Sequence, residues 1–288
     1  MPIMRFWRSS VASLVWLALQ SSVALGQSAT PTTNVLMRVS MIESAYFRGT
    51  TFSVDVDQRE YWITAKHIIT GVEKPPYGDI KSKSVSLRIL DPGAPGESWV
   101  PEEFSVIDPG QGIDIVVLTA HQPLLTSPLP SLPTNSAQVN LGSDCEFLGY
   151  PYGGGWRASF DNGQTWWMPY VKHCTISALP PKEGTRVWVL DGINNVGFSG
   201  GPVVVRTGGD QKIMAVVSGY IMEPADVVSA DADKSSSESV QTEKPTEHPK
   251  QVVKVNSGFI IAFDIKYVVD AIEKKPIGPL RKAKDAEK

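Results

Sequence analysis

Apolar and polar residues alternate over short stretches along most of the chain, a pattern that predicts β-strands. Five such stretches, rich in β-branched and aromatic residues, precede residue 121: NVLMRVSMI, TTFSVDV, EYWITAKHIIT, SVSLRIL and GIDIVVLTA. Six more follow residue 138: DCEFLGY, MPYVKHCTISAL, TRVWVLD, GPVVVRT, KIMAVVSGYI and GFIIAF. Regularly spaced short strands with few helical patterns predict an all-β sandwich or barrel, and two clusters of strands predict two such units.

The segments between the strands set the predicted boundaries. A proline-rich stretch, residues 121–138, is predicted to connect a first unit at 35–120 to a second at 139–274. Within the second unit, residues 223–251 have no aromatic residue and are rich in Ser, Asp, Glu and Lys. Such a segment buries too little apolar surface to offset its ordering entropy, which predicts a flexible loop.

One helical pattern closes the second unit. Four apolar residues fall on one helical face: Ile265, Val268, Val269 and Ile272. Asp264 is the predicted N-cap, and Pro276 lies just beyond the predicted C-terminal helix. Residues 275–288 are predicted to form a basic, solvated tail.

Residues 1–26 have the order of a secretory signal peptide. Two arginines precede an apolar run, Val11–Leu19, which is shorter than the ~20 residues of a membrane span. Small residues at Ala24 and Gly26 predict cleavage before Gln27. This predicts a secreted or periplasmic protein with no stable membrane span after signal cleavage; an uncleaved anchor is the alternative.

Charge and cysteine content narrow the function classes. The chain has 288 residues and a net charge of −3, which argues against a broad basic surface for nucleic acid. In an oxidising compartment the two cysteines, Cys145 and Cys174, favour a disulfide, with two buried free thiols as the alternative. Neither CxxC nor HExxH occurs, so we predict no metal site and no cofactor.

The stretch NVGFSGGPVVV contains a candidate nucleophile, Ser199, because Gly197–Gly201 fits the pattern G-x-S-x-G. In an α/β-hydrolase a helix directly follows this serine, and the histidine lies downstream. Here GGPVVV follows, a strand pattern, and the one downstream histidine is His248 in the polar segment. The α/β-hydrolase interpretation is therefore excluded.

Two upstream residues complete a different arrangement. His67 ends WITAKH, and Asp114 lies in GIDIVVL, where an acidic residue among aliphatic neighbours is costly unless it is hydrogen-bonded. A core histidine and a strand-end polar residue are the alternatives for each residue taken alone. Together with Ser199 they give the order His, Asp, Ser, at gaps of 47 and 85 residues.

The segments TAKH, DIVVL and GFSGGPV resemble the three signature segments of the trypsin-like serine proteases, and the likeness extends over residues ~35–274. RGTTFSV resembles the hairpin before the histidine, and SGFIIAF the closing strand. The resemblance implies two antiparallel six-stranded β-barrels with a short C-terminal helix, the chymotrypsin-like architecture. It also implies that Ser199 is the nucleophile, His67 the base and Asp114 its orienting partner. The backbone N–H groups of Gly197 and Ser199 would form the oxyanion hole.

Other positions follow from the same resemblance or depart from it. VVSGY implies that Ser218 and Gly219 pair with substrate backbone, and Ile193 stands where the family's primary specificity pocket has its floor. This favours small or apolar residues before the cleaved bond. Phe198 replaces the acid with which animal trypsins are activated, as in bacterial members. Lys66 replaces a small residue and would either be exposed or perturb His67.

The family pattern places Cys145 and Cys174 on neighbouring strands of the second barrel, where they face each other if those strands pair. The segment between them predicts a long hairpin with three tryptophans, Trp156, Trp166 and Trp167. Cross-strand packing explains these residues, with an aromatic surface that contacts a substrate or partner as the alternative.

These features predict an exported serine endopeptidase, of the bacterial type, that acts on protein or peptide substrates. A catalytically silent protein with a protease fold, which binds or regulates, is the alternative from another class. A serine esterase with the same triad is the third.

Overall fold

A computed structural model of the chain describes residues 32–94, 96–124, 129–160, 163–182, 184–227 and 252–281. Residues 1–26, interpreted above as a signal peptide, and most of the predicted flexible loop lie outside these ranges. In the described ranges there is no helix whose length and apolar character would allow it to cross a membrane.

The first β-barrel consists of six antiparallel strands that close in the order β1-β2-β3-β6-β5-β4. A one-turn helix, α1 (Thr33–Leu36), precedes the first strand, so the predicted strand NVLMRVSMI begins later than expected. The strands are β1 (Val39–Glu43), β2 (Arg48–Val56), β3 (Arg59–Thr64), β4 (Ser84–Leu90), β5 (Trp99–Ile107) and β6 (Val116–Thr119). A second short helix, α2 (Lys66–Thr70), follows β3.

The second barrel also closes with six antiparallel strands, in the order β10-β7-β13-β14-β15-β12, because β12 pairs with β10. Its strands are β7 (Asp144–Gly149), β10 (Tyr170–Ala178), β12 (Thr185–Asp191), β13 (Pro202–Thr207), β14 (Asp210–Asp226) and β15 (Val252–Asp264). A short strand, β11 (Pro181–Lys182), extends the sheet beside β12. A separate hairpin, β8 (Trp156–Ser159) with β9 (Thr165–Met168), leaves the barrel between β7 and β10. The predicted all-β fold with two six-stranded barrels is confirmed.

Successive side chains along a strand point to opposite faces of the sheet and therefore pack into separate apolar clusters. On β3, Trp62 packs into a cluster within the first barrel, whereas its neighbour Ile63 faces a second cluster. That second cluster joins the barrels, since it also contains Leu148, Val204 and Phe263 of the second barrel. The two barrels therefore share one apolar interface.

The disulfide prediction is confirmed. Cys145 on β7 and Cys174 on β10 are direct antiparallel partners, with a Cα–Cα distance of 4.9 Å, and their sulfur atoms are bonded. The alternative of two free thiols is excluded, because no cysteine in the described chain is free. The bond links two adjacent strands of the second barrel.

Three boundaries differ from the sequence prediction. Residues 223–226, predicted as the start of the flexible loop, continue β14, because Glu223 and Asp226 pair with Val255 and Val252 of β15. In the predicted connector, Thr134 forms a bridge with Ile213 of β14. The predicted C-terminal helix is present as α3 (Lys266–Lys274), with Ile265 and not Asp264 at the N-cap; Asp264 accepts a hydrogen bond from the Lys266 backbone N–H.

The start of the predicted solvated tail is also ordered. After α3 the chain returns to the first barrel, where the Pro279 carbonyl accepts a hydrogen bond from the Glu60 backbone N–H at 3.0 Å. The Arg281 backbone N–H donates to the Gln58 carbonyl at 2.8 Å, and its guanidinium pairs with Asp55 at 3.0 Å. Residues 278–281 therefore pack against β2 and β3 of the first barrel.

Candidate active site

His67 lies in the first turn of α2, directly after β3. The helix ends after one turn because Gly71 adopts a left-handed conformation, φ 75°, and donates its backbone N–H to the His67 carbonyl. His67 is 8% exposed, and its imidazole stands edge-on to Phe47, with ring centroids 6.2 Å apart. This short helix fixes His67 at the edge of the first barrel.

Asp114 lies just before β6 and is fully buried. Its Oδ1 accepts the His67 backbone N–H at 2.8 Å, and its Oδ2 is 2.7 Å from His67 Nδ1. Because an ionised carboxylate only accepts hydrogen bonds, this pairing assigns the proton to Nδ1 and leaves Nε2 as an acceptor. The structure thus brings together the first two residues of the predicted triad.

Ser218 contacts the same carboxylate. A β-bulge between Val217 and Gly219 interrupts the register of β14 with β15, so that Ser218 has no partner opposite it. Its hydroxyl donates to Asp114 Oδ2 at 2.5 Å. The sequence indicated only a substrate-contacting role for Ser218, whereas the structure also makes it a hydrogen-bond donor to Asp114.

Tyr77 extends this network and was missed by the sequence analysis. It adopts a left-handed conformation, φ 64°, and packs edge-on against Phe263 of the second barrel. Burial and the charge of Asp114 raise the pKa of the Tyr77 phenol, and a hydrogen bond with Ser218 opposes this shift. The phenol is therefore neutral near pH 7. In the sequence PPYG gave only a turn signal.

Ser199 lies in a tight turn before β13 that requires glycine on both sides. Gly197 and Gly200 have φ of 104° and 85°, in a region that other residues rarely adopt. A Cβ on Gly197 would collide with the Tyr150 carbonyl, and one on Gly200 with the Thr50 carbonyl. The G-x-S-G pattern is thus a steric requirement of this turn.

The carbonyl groups of the turn are held away from its amides. The Val196 carbonyl accepts the Tyr152 backbone N–H at 2.7 Å, and the Gly197 carbonyl accepts the Thr50 hydroxyl at 2.7 Å. Because a trans peptide directs its N–H opposite to its C=O, the Gly197 N–H is directed away from Tyr152. Within the described residues neither the Gly197 nor the Ser199 amide donates a backbone hydrogen bond.

His67 and Ser199 line one cavity of about 500 Å³ between the barrels. The Ser199 hydroxyl donates to the Ser218 carbonyl at 3.1 Å, and within the described chain it has no hydrogen bond to His67. Gly197, Ser218 and Gly219 line the same cavity. Two residues assigned to the triad, His67 and Ser199, therefore border one space with those assigned to the oxyanion hole and to substrate backbone. Asp114 is buried behind His67 and does not line the cavity.

Ile193, which was predicted to contact substrate, does not line the active-site cavity. Its side chain is 52% exposed, because the bend after β12 turns outward and Lys172 Nζ binds the Ile193 carbonyl. Ile261 and Met222 line the cavity instead. Burial lowers the pKa of the Lys172 ammonium group.

Lys66 and Phe198 stand where the sequence departs from the family, and the structure shows how each is accommodated. Lys66 is fully buried; its Nζ pairs with Asp108 at 2.6 Å and donates to the Gly110 carbonyl at 2.6 Å. Phe198 is fully buried against Phe147, with ring centroids 4.9 Å apart. The position before Ser199 therefore belongs to the apolar core of the second barrel.

The tryptophans of hairpin β8–β9 pack against the β4–β5 turn of the first barrel. Trp167 donates its backbone N–H to the Pro92 carbonyl at 2.7 Å, and Arg157 donates to the Ala94 carbonyl at 2.6 Å. Trp166 and Trp167 are half-buried, whereas Trp156 is 47% exposed. Packing thus explains the first two.

Comparison with known proteins gave matches by structure only. No protein-family model matches the chain. No curated protein sequence matches it either. The active form of the Rv3671c protease from M. tuberculosis matches with 17% identity and a TM-score of 0.50, over 90% of this chain and 97% of that chain.

Two further solved structures match over less of their own length. The HtrA-type protease AlgW with tripeptide has 13% identity and a TM-score of 0.49, over 84% of this chain and 61% of that chain. The serine endoprotease from Yersinia pestis has 17% identity and a TM-score of 0.46, over 85% and 67%. With two closed six-stranded barrels and a match along nearly the whole mycobacterial protease, the chain has the fold of the trypsin-like serine proteases.

Proposed function

We propose that this protein is a serine endopeptidase that hydrolyses peptide bonds with His67, Asp114 and Ser199. The observation that carries the proposal is the buried Asp114–His67 pair, 2.7 Å apart, on the cavity that Ser199 also lines. A buried carboxylate that orients an imidazole beside a serine is the arrangement that makes a hydroxyl nucleophilic. The fold, which solved serine proteases share, is consistent with this assignment.

The first half of the reaction forms an acyl-enzyme. The Ser199 hydroxyl turns from the Ser218 carbonyl toward His67, whose Nε2 takes the proton as Oγ attacks the scissile carbonyl carbon. Asp114 keeps Nδ1 protonated and stabilises the imidazolium. The imidazolium then donates the proton to the leaving amine nitrogen as the C–N bond breaks. In the second half, His67 takes a proton from water as the water oxygen attacks the acyl carbon. The ester bond to Ser199 then breaks, and the imidazolium returns the proton to the Ser199 oxygen.

The backbone amides of Gly197 and Ser199 stabilise the oxyanion of the tetrahedral intermediate. Support comes from the turn itself, because its carbonyls are bound by Tyr152 and Thr50 and the two amides are left for the substrate oxygen. Losing one such donor typically costs about 3 kcal/mol of transition-state stabilisation. Phe198 is buried in apolar surroundings, which agrees with a site that needs no new N-terminus for activation.

Strand β14 is the proposed binding edge for an extended peptide. From Ser218 onward β14 pairs only with β15 among the described strands, so its other edge faces the cavity. Ile261 and Met222 favour an apolar residue before the cleaved bond, in keeping with the small or apolar preference expected from the sequence. The signal-peptide prediction and the disulfide support a location of the protein in the periplasm or the extracellular space.

A fluorophosphonate probe on the full chain tests the proposal, because it labels only an activated serine. We expect labelling of the wild type and of S98A, a control at an exposed serine, and none of S199A or H67A. Labelling that persists in S199A would show that the reactive serine is not Ser199. A folded wild type that takes up no label would favour the catalytically silent alternative.

Substrate choice separates a peptidase from an esterase. A library of unmodified peptides and a set of matched p-nitrophenyl esters would be offered to the same preparation. Cleavage of internal peptide bonds that disappears in S199A supports the endopeptidase. Turnover of esters without any peptide cleavage would assign the site to an esterase.

A further inference from the structure

A second cavity, of about 170 Å³, lies at the first barrel and shares no lining residue with the active-site cavity. It is bounded by the start of β1, the β4–β5 turn and hairpin β8–β9. Its walls are mainly apolar and include Trp62, Ile89, Val100, Leu124 and Trp166. Nothing in the proposed peptidase reaction uses this cavity.

A buried arginine lines this cavity with unused donors. Arg38 is 2% exposed, and its Nη2 is bound by Asp55 Oδ2 and by the Leu129 carbonyl, each at 2.6 Å. Among the described residues its Nε and Nη1 have no hydrogen-bond partner, and neither has Trp166 Nε1, which is also buried. A buried donor without a partner is unfavourable, so this site favours a ligand that brings acceptor atoms.

The lining also limits what the acceptor is. A guanidinium binds carboxylates strongly, since charge-assisted hydrogen bonds are about twice as strong as neutral ones. Two acidic residues, Asp91 and Glu102, also line the cavity, and they disfavour a second negative charge on the ligand. These features select a single carboxylate, placed at Arg38, over a phosphate or a dicarboxylate.

The volume and the walls define the remainder of the ligand. An apolar cavity of about 150 Å³ holds one benzene molecule. We propose that this cavity binds a small monocarboxylate whose apolar body is about the size of a benzene ring, with its carboxylate on Arg38 and Trp166 Nε1. The apolar body packs between Trp62, Ile89 and Leu124.

Calorimetric titration of the full chain with benzoate tests the proposal, with hexanoate as an aliphatic counterpart and benzamide as a neutral molecule of the same shape. We expect saturable binding of benzoate and hexanoate. Benzamide should bind about tenfold or more weakly, because it lacks the charge that Arg38 recognises. Tryptophan fluorescence gives an independent signal, since Trp62 and Trp166 line the cavity.

Two variants locate the binding. R38M removes the charged donors and should weaken the binding of benzoate at least tenfold. R38M also removes one of the partners of Asp55, so a second variant is needed. V100W replaces a valine that is 44% exposed with a larger side chain and narrows the cavity. V171W, at a valine that is 40% exposed and outside this cavity, is the matched control and should bind like the wild type.

Three results would overturn the proposal. One is the absence of saturable benzoate binding to folded wild-type protein, which is the result expected if the cavity holds only water. The titration extends to 20 mM benzoate, far above the concentration needed to saturate a site with a Kd of about 1 mM. Another is equal affinity for benzoate and benzamide. The third is binding that V100W leaves unchanged, which would place the ligand elsewhere. None of these measurements depends on peptidase activity.

Discussion

The side-chain hydroxyl of Thr50 lies 2.7 Å from the carbonyl oxygen of Gly197, although one residue belongs to the first barrel and the other to the second. The same hydroxyl accepts the Tyr150 backbone N–H at 3.1 Å, and the Thr50 backbone N–H donates to the Ser199 carbonyl at 2.8 Å. Thr50 is fully buried. The first barrel thus holds the turn that carries the proposed nucleophile.

T50V keeps the shape of this side chain and removes the hydroxyl. Two buried backbone groups then lose their partner, the Gly197 carbonyl is no longer held, and the oxyanion amides lose their alignment. We expect kcat to fall about tenfold to a hundredfold, since small misplacements in active sites have effects of this size, with KM changed much less. Steady-state kinetics on a peptide substrate measures both.

T50S is the control, because it retains the hydroxyl. It should keep most of the activity, whereas a T50V protein as active as the wild type would show that the Gly197 carbonyl needs no side-chain donor.

D114N tests the assigned tautomer of His67. An amide in place of the carboxylate can donate to Nδ1, which moves the imidazole proton to Nε2 and removes the base. We expect a loss of about 10⁴-fold in kcat with the fold intact. S218A, which removes one of the donors to the same carboxylate, should lose far less. Circular dichroism verifies the fold, and a fully active D114N would reject the proposed role of Asp114.

K66M tests whether Lys66 stabilises the protein or perturbs His67. Its Nζ binds Asp108 and the Gly110 carbonyl, so the variant leaves these groups without their donor. We expect the free energy of unfolding, measured in urea, to fall by about 1–3 kcal/mol. The pH dependence of kcat/KM should be the same as in the wild type. A displaced acidic limb in that profile would instead mean that Lys66 acts on His67. D108N, which keeps an acceptor oxygen, should lose less stability.

The stability of the second barrel should depend on Glu146. Burial raises the pKa of this carboxyl above its ordinary value of 4.5; His173 and Arg206 oppose the shift, and Asp144 adds to it. The folded state therefore binds the proton more tightly than the unfolded state. The stabilisation that this proton gives the folded state is fully present below pH 4.5. It is lost as the pH rises through the pKa of Glu146 in the folded state.

E146Q removes this titration. The gain in melting temperature over the wild type should be larger at pH 7 than at pH 4, as measured by calorimetry at both values. Equal differences at the two pH values would contradict the assignment.

The disulfide should contribute to stability through the unfolded chain. Cys145 and Cys174 are 29 residues apart, and closing a loop of this size in the unfolded chain corresponds to about 3.6 kcal/mol. C145A/C174A should therefore unfold at a lower denaturant concentration than the wild type. A reducing agent should lower the midpoint of the wild type and leave that of the double variant unchanged.

The sequence was most informative where a motif was local. The order of His67, Asp114 and Ser199, together with the family resemblance, predicted that they belong to one site. The strand pattern predicted two all-β units, and the resemblance implied that each is a six-stranded barrel. Cys145 and Cys174 were expected to face each other, and they do. Each of these inferences depends on strand periodicity, or on a short segment that resembles a family motif.

What the sequence did not reveal depends on contacts between distant segments. Thr50 is an ordinary strand residue until the second barrel brings Gly197 to it. Tyr77 reaches Ser218 only because the chain after α2 folds over the cleft, and nothing in PPYG encodes that path. Ile193 was expected to border substrate by analogy of position, but the bend after β12 turns it outward.

The return of residues 278–281 to the first barrel has a consequence for how the molecule assembles. On the second hairpin of the first barrel, the Gln58 carbonyl accepts the Arg281 backbone N–H and the Glu60 backbone N–H donates to the Pro279 carbonyl. Both of these partners follow the second barrel in the chain. These two hydrogen bonds of the first barrel thus cannot form before residue 281 has been synthesised. Folding of both barrels is therefore expected to complete as a single cooperative event, after synthesis has passed residue 281.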